Sequence, residues 1–185
     1  MAVVLVIDNL SPFTPDILAC LGRLQAPYVC KKFSEVSEQD VQEFERVILS
    51  GRRKNDPAIN ATNSKVVMQC LNLDRPLLGI CYGAEIIALT LGGTLKKMER
   101  RMHEYISLSL EKQNQLTDGK STISAFESHG FCVARLPPEM ERIAGSQYCD
   151  YEIFAHRKKR IFGTQFHPEK SGQDGLDLIA NFLKT

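Results

Sequence analysis

Three short runs in the first half of the chain, Val3–Asp8 (VVLVID), Arg46–Gly51 (RVILSG) and Pro76–Cys81 (PLLGIC), are apolar at nearly every consecutive position. A strand of that kind has to be covered on both faces, which is the condition of a parallel sheet flanked by helices. Helical patterns separate the runs. Ile17, Leu18, Leu21 and Leu24 recur at helical spacing, Ser37 to Phe44 opens with a Ser-x-x-Asp cap, and SKVVMQCLNL and GAEIIALTL continue the series. YVCKKF reads as a further strand, and the polar residues Arg52 to Asn63 read as a loop. The alternation predicts an α/β fold, a mostly parallel open sheet flanked by helices. After Gly93 the texture becomes strand-rich (HEYISLSL, STISAFES, FCVARL, RIFGTQFH), which predicts an antiparallel extension, and Gly175 to Lys184 reads as an amphipathic closing helix. No linker, repeat or low-complexity segment interrupts the 185 residues, so residues 1–185 read as a single domain.

The net charge of +1 gives no reason to expect nucleic acid or an anionic membrane surface as a partner. No apolar run approaches the roughly 20 residues that span a bilayer, and MAVVLVIDNL meets an acid too early for a signal peptide. Lys96, Lys97, Arg100, Arg101 and the run Arg157 to Arg160 are short basic clusters of the kind found on solvated faces or at local anion sites. The six cysteines have no CxxC spacing, which argues against zinc and thioredoxin-type chemistry. A core of this size needs no disulfides, so the expectation is a reducing, cytoplasmic location with five of the six behaving as small buried or semi-buried hydrophobes.

The sixth is Cys81. In GICYG it lies where an apolar strand turns directly into a helix, with glycines two residues before and two after. In an open α/β sheet, ligands bind beyond the carboxyl ends of the strands. Small residues at those two positions permit the tight turn of a nucleophile elbow. The following helix presents free N–H groups and a positive dipole end, both of which favour thiolate. On spacing alone, a structural core cysteine remains the alternative.

A cysteine nucleophile needs a base, and the base an orienting group. Of the four histidines, His103, His129 and His156 have ordinary readings as sheet-edge or loop residues. His167 lies in GTQFHPE, where Glu169 is two residues on, so that in extended backbone both side chains project to one face. A carboxylate beside an imidazole fixes its tautomer and stabilises the imidazolium.

GICYG followed far downstream by GTQFHPE resembles the class I (triad-type) glutamine amidotransferases, over nearly the whole chain. The resemblance implies Cys81, His167 and Glu169 as the triad and hydrolysis of the glutamine side-chain amide through a thioester. FESHGFCVARLPPEM and GGTLKKMERRMHEYISLSL look most like the separate glutaminase subunit of archaeal GMP synthetase. That implies L-glutamine as substrate and, as partner, an ATP pyrophosphatase (synthetase) that receives the ammonia for GMP synthesis from XMP. ATP and Mg are then expected only on the partner, because this chain has no Gly-rich phosphate loop with Lys and no metal-ligand cluster. Ser128, Gly130 and Phe131 are implied as main-chain contacts to substrate.

Two positions depart from the family pattern. Relatives have Ser-x-Gly-Pro after the third strand, its glycine N–H forming half of the oxyanion hole with the N–H of Tyr82. Here Ser50 and Gly51 are followed by Arg52. A left-handed arginine costs roughly 1–2 kcal/mol, unless Gly51 takes over. Glu85 stands where relatives have glutamine, one helical turn from Cys81 and on its face. An ionised carboxylate there cannot donate to substrate and opposes the thiolate. DNLSPFTPD also lacks the Gly-Gly-Gln-Tyr of GMP synthetase glutaminases. Alternatives are therefore a catalytically impaired regulatory relative and a free-standing hydrolase of a γ-glutamyl compound.

Overall fold

A computed structural model describes residues 3–185, so Met1 and Ala2 of the predicted domain lie outside the described residues. The first half runs β1 (Val4–Asn9), α1 (Thr14–Arg23), β2 (Tyr28–Lys32), α2 (Glu38–Glu43), β3 (Arg46–Arg52), α3 (Pro57–Leu73), β4 (Leu77–Ile80) and α4 (Tyr82–Thr90). The second half runs β5 (Thr94–Lys97), β6 (Glu104–Ser109), β7 (Thr122–Glu127), β8 (Phe131–Arg135), β9 (Met140–Ala144), β10 (Ile153–His156), β11 (Ile161–Thr164) and α5 (Gly172–Phe182).

The main sheet has seven strands in the order β2-β1-β3-β4-β11-β10-β9. The pairings from β2 through β11 are parallel, and β10 is antiparallel to both β11 and β9. The fold is thus α/β with a mostly parallel sheet and an antiparallel extension. Successive residues of the central strands feed two separate cores, which is why these runs lack alternation. Val4, Val6, Ile48, Leu78 and Ile80 pack with Ile17 and Leu21 of α1 and Leu178 and Ile179 of α5. Leu5, Ile7, Val47, Leu49 and Leu77 pack on the other face with Val41, Val66, Val67, Ile86 and Ile87 of α2, α3 and α4.

The structure corrects several expectations. The polar stretch from Arg52 is not loop as far as Asn63: α3 starts at Pro57, with Asp56 as N-cap accepting from the Ala58 N–H, and proline fits the first helical position. Of the strand-like segments after Gly93, β11 joins the parallel part beside β4, while β6 pairs with β7 and β5 with β8 in separate two-stranded sheets. The extension is made instead by β9 and β10. Cys30 is exposed, because β2 is the edge strand of the main sheet.

The turn from β4 into α4 depends on close backbone approach. A Cβ on Gly79 would run into the carbonyl of Gly83, and a Cβ on Gly83 would run into the carbonyl of Leu49. At Gly22, exposed near the end of α1, nothing lies within 4 Å. Urea unfolding should therefore show Gly83→Ala destabilised by about 1–3 kcal/mol and Gly22→Ala unchanged or stabilised by up to about 1 kcal/mol. Equal midpoints for the two variants would refute the close-approach account.

Candidate active site

Cys81 is the residue between β4 and α4, with φ 52° and ψ −108°. That is the positive-φ half of conformational space, where an L-residue is strained by about 1–3 kcal/mol. The Cys81 N–H donates to the Thr164 carbonyl at 2.7 Å, tying the elbow to the end of β11. The N–H of Tyr82, the first residue of α4, helps to lower the Cys81 thiol.

His167 follows β11 and is 2% exposed. Its Nδ1 lies 2.7 Å from Glu169 Oε1, in a carboxylate that is itself buried. The two are not joined in extended backbone, as the spacing suggested. Pro168–Lys170 form a 3₁₀ turn that brings Glu169 back under the ring. The His167 N–H donates to the Phe126 carbonyl at 2.9 Å, and the Ser171 hydroxyl donates to the His167 carbonyl at 2.7 Å. The Phe13 ring packs edge-on against the imidazole at a 4.7 Å centroid distance. His167 and Cys81 both lie against Gly51, close enough for the His167 charge to act on the Cys81 thiol, and Glu169 holds the far side of the ring.

Burial pushes the Cys81 thiol up; the charge and hydrogen bond of His167 pull it down, and Glu85 pushes it up again. Burial works against a charged His167, but Glu169 and the Cys81 sulfur together hold it well above the ordinary histidine value. Glu169 thus favours the charged imidazole, while Glu85 opposes the thiolate. A cysteine–histidine pair of this kind can deliver a nucleophilic sulfur and then a proton to a leaving group.

Gly51 lies against this pair. A Cβ there would sit 3.2 Å from His167 Cε1 and 3.7 Å from Cys81 Cβ, so the absent side chain makes room for the ring. Arg52 does not adopt the left-handed conformation expected of it. It continues β3, in register with Asn9 of β1. Its guanidinium stacks over the Tyr82 ring at 3.9 Å and donates to Asn60 Oδ1 at 2.5 Å, an oxygen that also accepts from the Tyr82 hydroxyl. The strain expected at Arg52 is therefore absent, because strand pairing sets its backbone.

Glu85 is 6% exposed and accepts from Gln165 Nε2 at 3.2 Å; the same nitrogen is 4.0 Å from Cys81 Sγ. Burial raises its carboxyl above the usual range, opposed by Gln165, His129, Arg52 and His167. Gln165 went unnoticed in the sequence, although it stands within the GTQFHPE motif.

A cleft of about 270 Å³ reaches His167 and is lined in part by Ser128, His103, Arg52, Arg53 and Arg101. Of the expected substrate contacts, Ser128 lines this cleft. The Gly130 carbonyl accepts from the Met98 N–H, the Phe131 carbonyl faces His129 Nδ1 at 2.7 Å, and the Phe131 side chain is turned to solvent.

Two polar clusters support the site and were not foreseen. Asn9, Ser50 and Asn63 are fully buried and hydrogen-bonded to one another, joining the ends of β1 and β3 to α3. His129, read as an ordinary loop residue, is buried with Nε2 2.7 Å from Glu127 Oε2. Among the described residues, Glu127, His129 and Glu152 are the one group whose potential metal-ligand atoms converge, within 4.8 Å of one another. His129 Nδ1 is committed to a carbonyl and Glu152 accepts from the Ser146 hydroxyl at 2.7 Å, while Glu127 Oε1 and Glu152 Oε2 are buried without a partner.

Residues 5–185, which include every member of this constellation, match the family described as Glutamine amidotransferase class-I. The chain belongs to that family. It is 40% identical over 116 residues to the A subunit of GMP synthase [glutamine-hydrolyzing] from Methanosphaera stadtmanae, covering 62% of each chain. With GMP synthase [glutamine-hydrolyzing] of Pasteurella multocida it shares 31% over 160 residues, 80% of this chain but only 30% of that protein. The crystal structure of a protein from Thermoplasma acidophilum, described as a putative A subunit of GMP synthase, superposes with a TM-score of 0.90 at 26% identity, covering 100% of this chain and 93% of that one. A glutamine amidotransferase from Thermotoga maritima (TM-score 0.78, 18% identity, covering 99% and 83%) shares the amidotransferase fold. Among the described residues of this family member, no helix is long and apolar enough to cross a membrane.

The buried acids give this amidotransferase a pH signature. Burial pushes Glu127 up to about 7, and burial with the neighbouring Glu127 pushes Glu152 up to about 8. An unfolded glutamate titrates near about 4.3. Between these values the folded state holds more protons, so these groups stabilise the fold at low pH and lose that contribution as pH rises through about 8. Urea midpoints measured across this window should fall with pH in the wild type and fall less in Glu152→Gln. Parallel slopes would show that the pair does not hold the extra proton.

Proposed function

We propose that this chain is the glutaminase component of a GMP synthase, hydrolysing L-glutamine and passing ammonia to a synthetase partner. The observation that carries this reading is the strained Cys81 elbow lying, with the buried His167–Glu169 pair, against Gly51. The similarity to the M. stadtmanae and T. acidophilum proteins supports the pathway. ATP and Mg²⁺ belong, in this reading, to the partner.

In the reaction, the Cys81 sulfur attacks the side-chain carboxamide carbon while His167 holds the thiol proton. The oxyanion forms against the Tyr82 N–H, with an N–H of the Gly51–Arg52 segment as the second donor. His167 then protonates the departing nitrogen and ammonia leaves. Next, His167 takes a proton from water, which attacks the thioester and releases glutamate, restoring the thiol. Glu169 never transfers a proton; it keeps the ring oriented and stabilises its charge.

Burial of Glu85 under Gln165 argues against its reading a charged group of some other substrate. The β-strand backbone of Arg52 argues against an oxyanion hole impaired by strain. Cys81, at 7% exposure, is barely accessible in the free chain, so slow turnover accelerated by the partner is expected.

A glutamine-mimicking alkylating agent should label Cys81 alone among the six cysteines, and Cys81→Ala should abolish both labelling and turnover. His167→Ala should lower kcat by about 10²–10⁴-fold, and Glu169→Gln should lower it less. Labelling at Cys20 or Cys132 with Cys81 spared would remove the basis of the proposal.

Glu85→Gln should raise kcat/KM for glutamine, because a buried carboxylate opposing the thiolate is removed. The gain should appear only above the pH at which Glu85 ionises, since the protonated acid is already neutral. A pH profile with the gain confined to acid conditions, or loss of activity in a folded variant, would contradict this.

A further inference from the structure

Glu127, His129 and Glu152 come from three places: the end of β7, the turn before β8 and the residue preceding β10. Each offers one donor atom, and the three atoms lie within 4.8 Å of one another. All three side chains are buried, at 1%, 4% and 0% exposure. Among the described residues, the one basic group in ion-pair range of these acids is His129. A carbonyl oxygen can only accept, so His129 Nδ1, 2.7 Å from the Phe131 carbonyl, carries a proton. In the neutral ring Nε2 then presents a lone pair to Glu127 Oε2, also at 2.7 Å. Two acceptors so close repel unless something positive joins them. The acids make a further demand, because Glu127 Oε1 and Glu152 Oε2 are each buried without a partner. Buried carboxylates are paired or coordinate metals. Protons close such contacts one at a time, whereas a single doubly charged ion balances both carboxylates and takes the lone pair at once.

We propose that Glu127, His129 and Glu152 form a buried site for a divalent transition-metal ion of the Zn²⁺ class, with His129 Nε2 and one oxygen of each acid as ligands. Zinc bonds to nitrogen and oxygen of about 2.0–2.2 Å set tetrahedral ligands about 3.4 Å apart, inside the observed spread. The outer contacts fit as well. A metal-bound histidine donates its other N–H, here to the Phe131 carbonyl, and a ligating carboxylate is itself hydrogen-bonded, here by the Ser146 hydroxyl. Mg²⁺ and Ca²⁺ prefer all-oxygen shells and suit an imidazole-bearing trio poorly. The role of the ion is structural. Ser128, which lines the cleft, stands between two of the ligands, and the Glu152 carbonyl accepts from the Gln165 N–H at 2.8 Å. The ion therefore ties the cleft wall to the chain that leads from β11 into His167, whatever substrate the cleft takes.

The test uses the full chain carrying Cys81→Ala, which removes the thiol near His167 as a competing zinc site. The protein is stripped with a chelator and titrated calorimetrically with Zn²⁺. One Zn²⁺ per chain should bind and raise Tm. Glu152→Gln and, separately, His129→Gln should each weaken binding by more than about 100-fold, since loss of an outer partner alone costs about 10–100-fold. The rise in Tm should vanish in both. Co²⁺ bound to the parent should show visible ligand-field absorption and no sulfur-to-metal charge-transfer band, which separates this site from any cysteine site. Circular dichroism of the metal-free variants verifies folding. Glu152→Gln keeps the shape of the side chain and decides the matter if His129→Gln unfolds, and the Co²⁺ spectrum needs neither variant. Failure to bind one Zn²⁺ per chain, unchanged affinity in either folded variant, or a Co²⁺ spectrum with a thiolate band would overturn the site.

Discussion

A cysteine held at φ 52° and ψ −108° is kept in a strained conformation by its surroundings rather than by its own preference. Gly79 and Gly83 let β4, α4 and the Leu49 carbonyl approach more closely than any Cβ would allow, and the bond from the Cys81 N–H to Thr164 locks the elbow onto β11. Release of the strain would turn the sulfur away from His167. The elbow therefore determines why β4 is flanked by β3 and β11: those two neighbours deliver Gly51 and His167 to the same point. The two-faced core beneath supplies the rigidity that makes the strained state persist.

Around the elbow, buried polar groups are joined by hydrogen bonds, although Gln165 Oε1 and Glu169 Oε2 are left without a partner. Asn9, Ser50 and Asn63 join three elements, and Gln165 bridges the space between Cys81 and Glu85. Further back, Glu127, His129 and Glu152 stabilise the turn that carries Ser128. A buried polar group without a partner costs about 1–3 kcal/mol, so networks of this kind hold a single arrangement or none. The electrostatic balance at the sulfur follows from them. His167 with Glu169 favours the thiolate, whereas burial and Glu85 oppose it.

Much of this was legible in the sequence. The unbroken apolar runs signalled a sheet covered on both sides, and the glycine bracket around Cys81 with the distant His167-x-Glu169 marked the site. What escaped depends on tertiary placement. Polarity between Arg52 and Asn63 masked a helix whose start was marked by Asp56-Pro57. The second-half strands showed β character but not their partners, because small antiparallel pairs bury little surface and leave a weak pattern. Arg52 was assigned strain that strand register removes, and His129 looked ordinary because Glu152, which completes its cluster with the nearby Glu127, is far away in the chain. Gln165 was hidden between louder neighbours. The charge of the cleft is likewise invisible in sequence, since Arg53 and Arg101 meet only after folding.

In the proposed reaction the elbow makes Cys81 Sγ the attacking atom. Rapid mixing of wild-type protein with L-glutamine, acid quenching and peptide mass spectrometry tests it directly. A glutamyl thioester on the peptide carrying Cys81, absent in Cys81→Ala, is the predicted result. Ammonia release with the adduct on another residue, or continued release by Cys81→Ala, would contradict it.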